Sequence, residues 1–164
     1  MNLELGKTQT LPVCKKVDFG IYLGDEEERV LLPAAQVPEG TEVGDTLEVF
    51  LYKDSDDRLI ATTRKPMLEV GGIALLTVKE MTKIGAFLDW GLERDLLLPF
   101  REMTGQIDAG DQVLAALYVD KSGRLAATMK VYHYLEKGGH FQDPQLRLQN
   151  AVHYLLYEHE AQNG

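Results

Sequence analysis

One twelve-residue stretch of the sequence occurs twice and decides the fold. LYKDSDDRLIAT spans residues 51–62, and LYVDKSGRLAAT spans residues 117–128, 66 positions later. In both copies an apolar run leads into an aspartate, a polar turn and an arginine that opens a second apolar run. This pattern is typical of two antiparallel strands joined by a tight turn. The sequence therefore predicts the same β-hairpin twice.

The repeat extends upstream of the hairpin. Three shorter blocks are shared in the same order: VGD at 43–45 with AGD at 109–111, LLP at 31–33 and 97–99, and GIYL at 20–23 with GAFL at 85–88. Collinear similarity at a nearly fixed spacing indicates an internal repeat. We therefore predict two copies of one domain, residues 1–64 and 67–130, joined near Arg64-Lys65-Pro66.

Each copy is typical of a small β-domain. The second copy contains five short apolar runs, at Ile73–Val78, Gly85–Trp90, Asp95–Leu98, Val113–Val119 and Leu125–Met129. Five short strands in so few residues, with no long helix, predict an all-β fold of two small Greek-key barrels. Gly20 and Gly85 lie inside strand patterns, which predicts a bulge or a sharp bend at each.

Residues 131–164 do not repeat the pattern and predict a helical tail. Gly138-Gly139 is a flexible break, and Asp143 followed by Pro144 is typical of a helix start. Apolar residues then recur at helical spacing, at Leu148, Ala151, Val152 and Leu155. We predict a helix from about 144 to 160. Its apolar stripe would pack on the second barrel, on a protein partner or on a second copy in a homodimer.

Charge limits the binding functions that are open to the chain. Acidic residues outnumber basic ones 26 to 17, for a net charge of −9. This argues against a general DNA-coating protein, because nonspecific affinity for nucleic acid rests on clustered positive charge. The charge is uneven, with −7 in residues 1–63, 0 in residues 64–130 and −2 in the tail. The second copy therefore has the better electrostatics for phosphate.

Several classes of protein are not indicated. Cys14 is the single cysteine, so no internal disulfide can form. The start of the chain does not resemble a signal peptide, and no apolar run approaches the roughly 20 residues needed to cross a bilayer. No nucleotide-binding glycine loop or zinc motif is present. We expect a cytoplasmic protein that binds no membrane, metal or cofactor and is not an enzyme.

The run Lys83–Asp89, followed by Leu97–Glu102, resembles the S1 domain, an RNA-binding OB fold. The first copy carries the same frame in Val17–Leu23. Two degenerate copies with an LLP step are similar to the bacterial conserved virulence factor B family. The resemblance implies two tandem five-stranded OB barrels. Such barrels bind single strands by stacking bases on aromatic side chains while cations follow the phosphates.

This resemblance and the charge pattern together indicate a set of candidate RNA-binding residues. They are Phe19, Tyr22 and Arg58 in the first copy, and Lys83, Phe87, Phe100, Arg101, Asp120, Lys121 and Arg124 in the second. Ile84 stands where the family has its first aromatic, and Pro33 and Pro99 stand where many S1 domains have histidine. Trp90 could compensate in the second copy or cover the barrel end.

We therefore expect modest, salt-sensitive binding of single-stranded RNA and a role in post-transcriptional regulation. The alternative is a protein-interaction module built on OB barrels that have lost affinity for nucleic acid. The acidic first copy and the amphipathic tail favour this alternative.

Overall fold

The computed structural model describes residues 2–136 and 140–141, and these form two β-barrels in succession. The first barrel contains β1 (Thr8–Val17), β2 (Gly20–Gly24), β3 (Arg29–Pro33), β4 (Thr46–Lys53) and β5 (Leu59–Thr62). The second contains β6 (Gly72–Met81), β7 (Gly85–Asp89), β8 (Leu96–Pro99), β9 (Gln112–Val119) and β10 (Leu125–Thr128). Each copy therefore has the five strands that the sequence predicts.

The two barrels share one strand order but differ in closure. The first barrel is closed in the order β1-β2-β3-β5-β4, with β4 antiparallel to β1 and β3 parallel to β5. The second has the corresponding order β10-β9-β6-β7-β8. Its β8 and β10 lie side by side without a hydrogen-bonded ladder in the described structure, so this barrel is nearly closed. The predicted all-β fold with two tandem barrels is confirmed.

Short elements accompany the strands. A 3₁₀ turn follows the LLP block in both copies, at Ala34–Gln36 and at Phe100–Glu102. After the second barrel come α1 (Tyr132–Glu136), which the sequence analysis missed, and β11 (His140–Phe141), which pairs with the start of β6. The helix predicted from about 144 to 160 lies outside the described residues. No described helix is long and apolar enough to cross a membrane.

The repeated hairpin is stabilised by its aspartate. Asp120 Oδ1 accepts hydrogen bonds from the backbone N–H of Ser122 at 2.9 Å and of Arg124 at 3.0 Å. Asp54 Oδ1 accepts the equivalent two bonds in the first barrel, also at 2.9 and 3.0 Å. An aspartate that bonds to the backbone of the following residues is a favoured way to hold a tight turn. The Asp-x-x-x-Arg pattern therefore has a structural role in both copies.

The repeated Gly-Asp block anchors the start of the fourth strand of each barrel. Gly110 donates to the carbonyl of Val78 at 2.8 Å, and the Asp111 carbonyl accepts from Val78 at the same distance. Gly44-Asp45 bonds to Val13 in the same way, at 2.9 and 2.7 Å. These bonds satisfy the backbone N–H and carbonyl groups of Val13 and Val78, next to the point where the register with the neighbouring strand shifts. The block is thus part of the barrel frame.

Of the bulge or sharp bend predicted at Gly20 and Gly85, the bulge lies elsewhere. The register shifts in β1 between Val13 and Lys15, and in β6 between Val78 and Glu80. The two glycines are needed for a different reason, since each has a positive φ, +153° and +145°, and lies against a neighbouring strand. A Cβ on Gly85 would stand 2.2 Å from the backbone oxygen of Leu98. This close approach brings the second and third strands of each barrel together.

The two barrels are joined by a shared apolar core. Phe50 projects from the outer face of β4 and is only 1% exposed, because it packs in the core cluster of the second barrel. Its ring lies edge-on to Trp90, with centroids 5.7 Å apart and an interplanar angle of 80°. Trp90 is 3% exposed, and its Nε1 donates to the carbonyl of Arg94 at 2.6 Å. Of the two alternatives for Trp90, the structure thus favours packing, at the junction between barrels.

Backbone hydrogen bonds reinforce this junction near the N-terminus. Gly6 donates to the carbonyl of Leu51 at 2.7 Å and accepts from Val70 at 2.9 Å. Lys7 Nζ also donates to the carbonyl of Val70 at 2.7 Å. The segment before β1 therefore bridges the first barrel and the linker that leads into the second.

We expect Gly85→Ala to lower the free energy of unfolding by at least about 2 kcal/mol, because it combines a positive φ with a backbone clash. Gly105→Ala is the matched control, since a Cβ there meets nothing within 4 Å. Its effect should stay within about 0.5 kcal/mol. Urea denaturation of the two variants measures the difference, and equal stabilities would contradict the close-approach argument.

Candidate nucleic-acid interface

Strand register aligns one row of side chains across the outer face of each barrel. In the first barrel Tyr22 lies opposite Leu31, which lies opposite Ile60, which lies opposite Tyr52. In the second barrel the equivalent row is Phe87, Leu97, Ala126 and Tyr118. Residues that lie directly opposite in a sheet project to the same side. Register makes the row continuous in the first barrel, whereas in the second it joins only Phe87 to Leu97 and Ala126 to Tyr118. Each row begins at a predicted aromatic.

Phe19 and Tyr22 meet in the first barrel. Their spacing of three would place them on opposite faces of a regular strand, but Phe19 lies in the turn before β2. The rings are in edge contact, with centroids 6.3 Å apart, and Phe19 is 58% exposed. The guanidinium of Arg29 lies 4.6 Å from the centre of the Tyr22 ring. The predicted aromatic pair is thus brought together, beside an arginine that the sequence analysis did not single out.

Arg58 is held within its own turn. Its Nε lies 3.1 Å from Asp54 and its Nη2 lies 3.2 Å from Asp56. The described contacts do not join it to Phe19 or Tyr22. The arginine predicted for the first barrel is therefore neutralised locally rather than grouped with the aromatic pair.

Two of the exposed apolar side chains of the second barrel flank the β7–β8 strand pair. Gly85 lies opposite Pro99, and the residues just outside this pair are Ile84 and Phe100. These two side chains are 59% and 50% exposed, and Lys83 beside them is also exposed. At the equivalent positions the first copy has Phe19 and Ala34. The aromatic that is missing at position 84 thus has a counterpart at position 100, across the strand pair.

A groove of about 240 Å³ lies between the barrels. Its apolar lining comes from both copies: Tyr52 from the first, and Ile84, Phe87, Trp90, Leu96, Leu97, Leu125 and Ala126 from the second. Asp120 and Arg124 also line it. The structure therefore brings together three of the predicted residues, Phe87, Asp120 and Arg124, and adds Tyr52 from the other barrel.

The charged groups of the groove are balanced. Its lining includes Lys53, Arg94 and Arg124 together with Asp57, Asp95 and Asp120. Arg94 Nη1 donates to the backbone carbonyls of Lys53, at 3.3 Å, and of Asp54. Arg124 Nη2 lies 2.5 Å from Asp57, across the junction. Both arginines of the groove thus contact the β4–β5 turn of the first barrel.

Asp120 remains ionised because of its place in the turn. Burial acts to raise the pKa of its carboxyl, but hydrogen bonds from Ser122 and from the backbone of Arg124 outweigh this and lower the pKa. Its oxygens accept from Ser122 N–H, from Ser122 Oγ at 2.5 Å and from Arg124 N–H. Asp120 therefore has a structural role in addition to any contact with a ligand.

A second depression lies on the other side of the same turn. Its lining includes Arg101, Tyr118, Asp120 and Lys121. Arg101 lies 3.9 Å from Glu102, whereas Lys121 forms no salt bridge within the described residues. Burial, followed by the charge of Glu102, raises the pKa of Tyr118. Two of the predicted cations, Arg101 and Lys121, thus face one surface next to the groove.

Sequence reasoning missed four residues near the candidate site: Arg29, Tyr52, Asp57 and Arg94. Tyr52 had a signal, because it recurs as Tyr118 in the outer row. Asp57 also had a signal in the sequence, because the second copy has Gly123 at the equivalent position. Arg29 and Arg94 act through contacts that no local spacing indicates. The described residues contain no cluster of three or more His, Cys, Asp or Glu side chains that could hold a metal ion.

Residues 5–64 and 70–130 each match the S1 domain family. The matches coincide with the two barrels. They are separated by residues 65–69, which include the linker.

Similar proteins contain the same tandem arrangement over part of their length. The chain is 33% identical over 133 residues to the uncharacterized protein YitL of Bacillus subtilis, covering 77% of this chain and 44% of that protein. It is 23% identical over 120 residues to conserved virulence factor B of Staphylococcus saprophyticus, covering 70% and 40%. The chain therefore spans less than half the length of these relatives.

A solved structure shares the fold. It is a multidomain protein with nucleic acid binding domains from Streptococcus pneumoniae, which matches with a TM-score of 0.66 and 21% identity. The match covers 81% of this chain and 48% of the other. At this identity the likeness establishes the arrangement of strands.

The turn carboxylate should make stability depend on pH. The native pKa of Asp120 is lowered, so its contribution is complete above the unfolded-state pKa of about 3.9 and is lost as the pH falls through the native value. We expect Asp120→Ala to destabilise the protein at pH 7 and to differ less from the wild type below about pH 4.

Denaturant unfolding at several pH values measures this difference. Asp108→Ala is the control, because this exposed carboxylate accepts no hydrogen bond within the described residues. A difference between Asp120→Ala and the wild type that stays constant down to pH 2 would contradict the role of the ionised carboxylate.

Proposed function

Because the chain belongs to the S1 domain family and is a conserved virulence factor B-like protein with tandem S1 domains, we propose that it binds single-stranded RNA. We further propose that it does so in the cytoplasm as a post-transcriptional regulator, by binding and not by catalysis. The finding that carries this proposal is the inter-barrel groove, which groups Phe87 with Asp120 and Arg124.

The groove has the chemistry that an unpaired base requires. Its floor is apolar, and Phe87 and Tyr52 offer aromatic surface from opposite barrels. A volume of about 240 Å³ is below the roughly 300 Å³ at which pockets for drug-sized molecules begin, so it suits one planar group. Arg124 at the same groove supplies a guanidinium, which pairs well with phosphate oxygens.

Exposed side chains around the groove extend the proposed surface. Ile84 and Phe100 offer apolar contacts for a neighbouring base, with Lys83 next to them. Arg101 and Lys121 face the adjacent depression. A strand that follows these residues would find stacking surfaces and cations in alternation, which is how proteins bind single strands without strict sequence preference.

The first barrel contributes less charge to this surface. Phe19 and Tyr22 form an accessible aromatic pair, but Arg58 is paired with two carboxylates of its own turn. The first copy also carries a net charge of −7. We therefore propose modest affinity, with the second barrel and the groove as the main site and the first barrel as an auxiliary one.

Titration of a fluorescent pyrimidine-rich single-stranded RNA, followed by anisotropy at two salt concentrations, tests the proposal. Binding through Z phosphates should weaken with salt with a log–log slope of about −0.7Z. Phe100→Ala should weaken binding by about 1–3 kcal/mol if the ring stacks on a base. Val43→Ala removes a similarly exposed apolar side chain from the other barrel and should have no effect.

The outcome also decides the alternative function. Absence of binding at low salt would overturn the RNA proposal and favour a protein-interaction module. Equal effects of Phe100→Ala and Val43→Ala would leave RNA binding in place but remove Phe100 from the site.

A further inference from the structure

Asp57 has an unusual backbone conformation for its residue type. Among the described residues it is the one non-glycine with positive φ, at 60°. The equivalent position in the second copy is Gly123, with φ of +83°. Glycine adopts this conformation freely, whereas most other residues do so at a cost, and aspartate is among the more tolerant. The first copy thus carries a carboxylate at a turn position where the fold itself favours glycine.

The carboxylate of Asp57 has a defined contact in the other barrel. Its Oδ2 lies 2.5 Å from Nη2 of Arg124, 67 positions along the chain. The equivalent arginine of the first copy, Arg58, is paired with Asp54 and Asp56 of its own turn. The cross-barrel pair therefore depends on Asp57, and it engages the arginine of the second barrel's Asp-x-x-x-Arg pattern.

A second arginine holds the same turn in place. Arg94 donates to the carbonyls of Lys53 and Asp54, the two residues at the start of the β4–β5 turn. Both arginines line the groove together with Asp57. The turn of the first barrel is thus held at the edge of the groove with its carboxylate directed at Arg124.

Other charged groups near Arg124 do not replace Asp57. Asp120 lies on the same hairpin, but its Oδ1 already accepts hydrogen bonds from Ser122 and from the backbone N–H of Arg124. Asp95 also lines the groove, but it is paired with Lys79 at 3.2 Å. Lys53 is the remaining cation of the lining. Asp57 is therefore the carboxylate that satisfies the Arg124 guanidinium.

We infer that Arg124 is a phosphodiester-binding position that the first barrel fills with its own carboxylate when no RNA is bound. Carboxylate and phosphate oxygens are interchangeable partners for a guanidinium. A phosphate that reaches Arg124 has to displace Asp57, so Asp57 lowers the affinity for RNA and selects for strands that also fill the groove. This inference rests on the proposed RNA-binding function.

The test compares two amide substitutions of equal charge. Asp57→Asn preserves the size of the side chain and introduces a residue that also tolerates positive φ. It removes only the competing carboxylate. We expect the RNA affinity to rise about two- to fivefold, the range that corresponds to an exposed ion pair. The salt slope should stay the same, because the phosphate replaces Asp57 on Arg124 in the wild-type complex as well. Glu39→Gln, in an exposed turn, should change the RNA affinity less.

A second pair of variants shows whether Arg124 mediates the effect. Asp57→Asn should have no effect in an Arg124→Ala background. Asp57→Gly, which introduces the residue of the second copy, should reproduce Asp57→Asn. Thermal unfolding of each variant confirms that the fold is retained.

The outcomes distinguish a failure of the competition by Asp57 from a failure of the proposed RNA binding. If neither the wild type nor Asp57→Asn binds RNA at low salt, the proposed function fails. If the wild type binds and Asp57→Asn binds equally well or more weakly, the function stands and the competition is overturned. Equal gains from Asp57→Asn and Glu39→Gln would reduce the effect to net charge and also overturn it.

Discussion

The packing of Phe50 against Trp90 is the contact on which the arrangement of the two barrels depends. Phe50 leaves its own barrel and enters the core cluster of the next, where it is almost fully buried. Removing a buried aromatic of this kind costs about 3–5 kcal/mol in typical cores, so the junction is a substantial part of the fold. The inter-barrel groove lies at this junction, where Trp90, Tyr52 of one copy and Phe87 of the other all line it.

The two copies keep one frame and differ where they face a ligand or each other. Asp54 and Asp120 make the same hydrogen bonds within their turns, so the fold requires aspartate at both positions. Arg58 and Arg124 occupy equivalent positions in the repeat, but Arg58 pairs within its own turn whereas Arg124 pairs across the junction with Asp57. Asp57 and Gly123 are also equivalent positions at which the two copies differ. The proposed function therefore rests more on the differences between equivalent positions than on the shared pattern.

Much of the fold could be predicted from the sequence, because the repeat supplied each strand twice. The hairpin aspartates and the Gly-Asp block are local signals, and the structure shows their local hydrogen bonds. Of the two alternatives predicted at Gly20 and Gly85, the bulge was wrong, because these glycines are required by a close approach to Leu32 and Leu98 that no neighbouring residue reveals. At the candidate site, Phe87 and Arg124 were both among the predicted residues, but Asp57 and Arg94 depend on tertiary contacts between segments about 40 to 67 residues apart.

A shared core between two domains also sets a length scale. With the barrels packed through Phe50 and Trp90, the aromatic pair at Phe19 and Tyr22 stands at a defined distance from the groove. A strand that occupies both must bridge that gap with a fixed number of nucleotides. The second contact is then intramolecular and gains from a high effective concentration, provided that the spacer fits. For the proposed RNA function, the junction therefore implies a preference for the spacing between two unpaired segments, independent of their sequence.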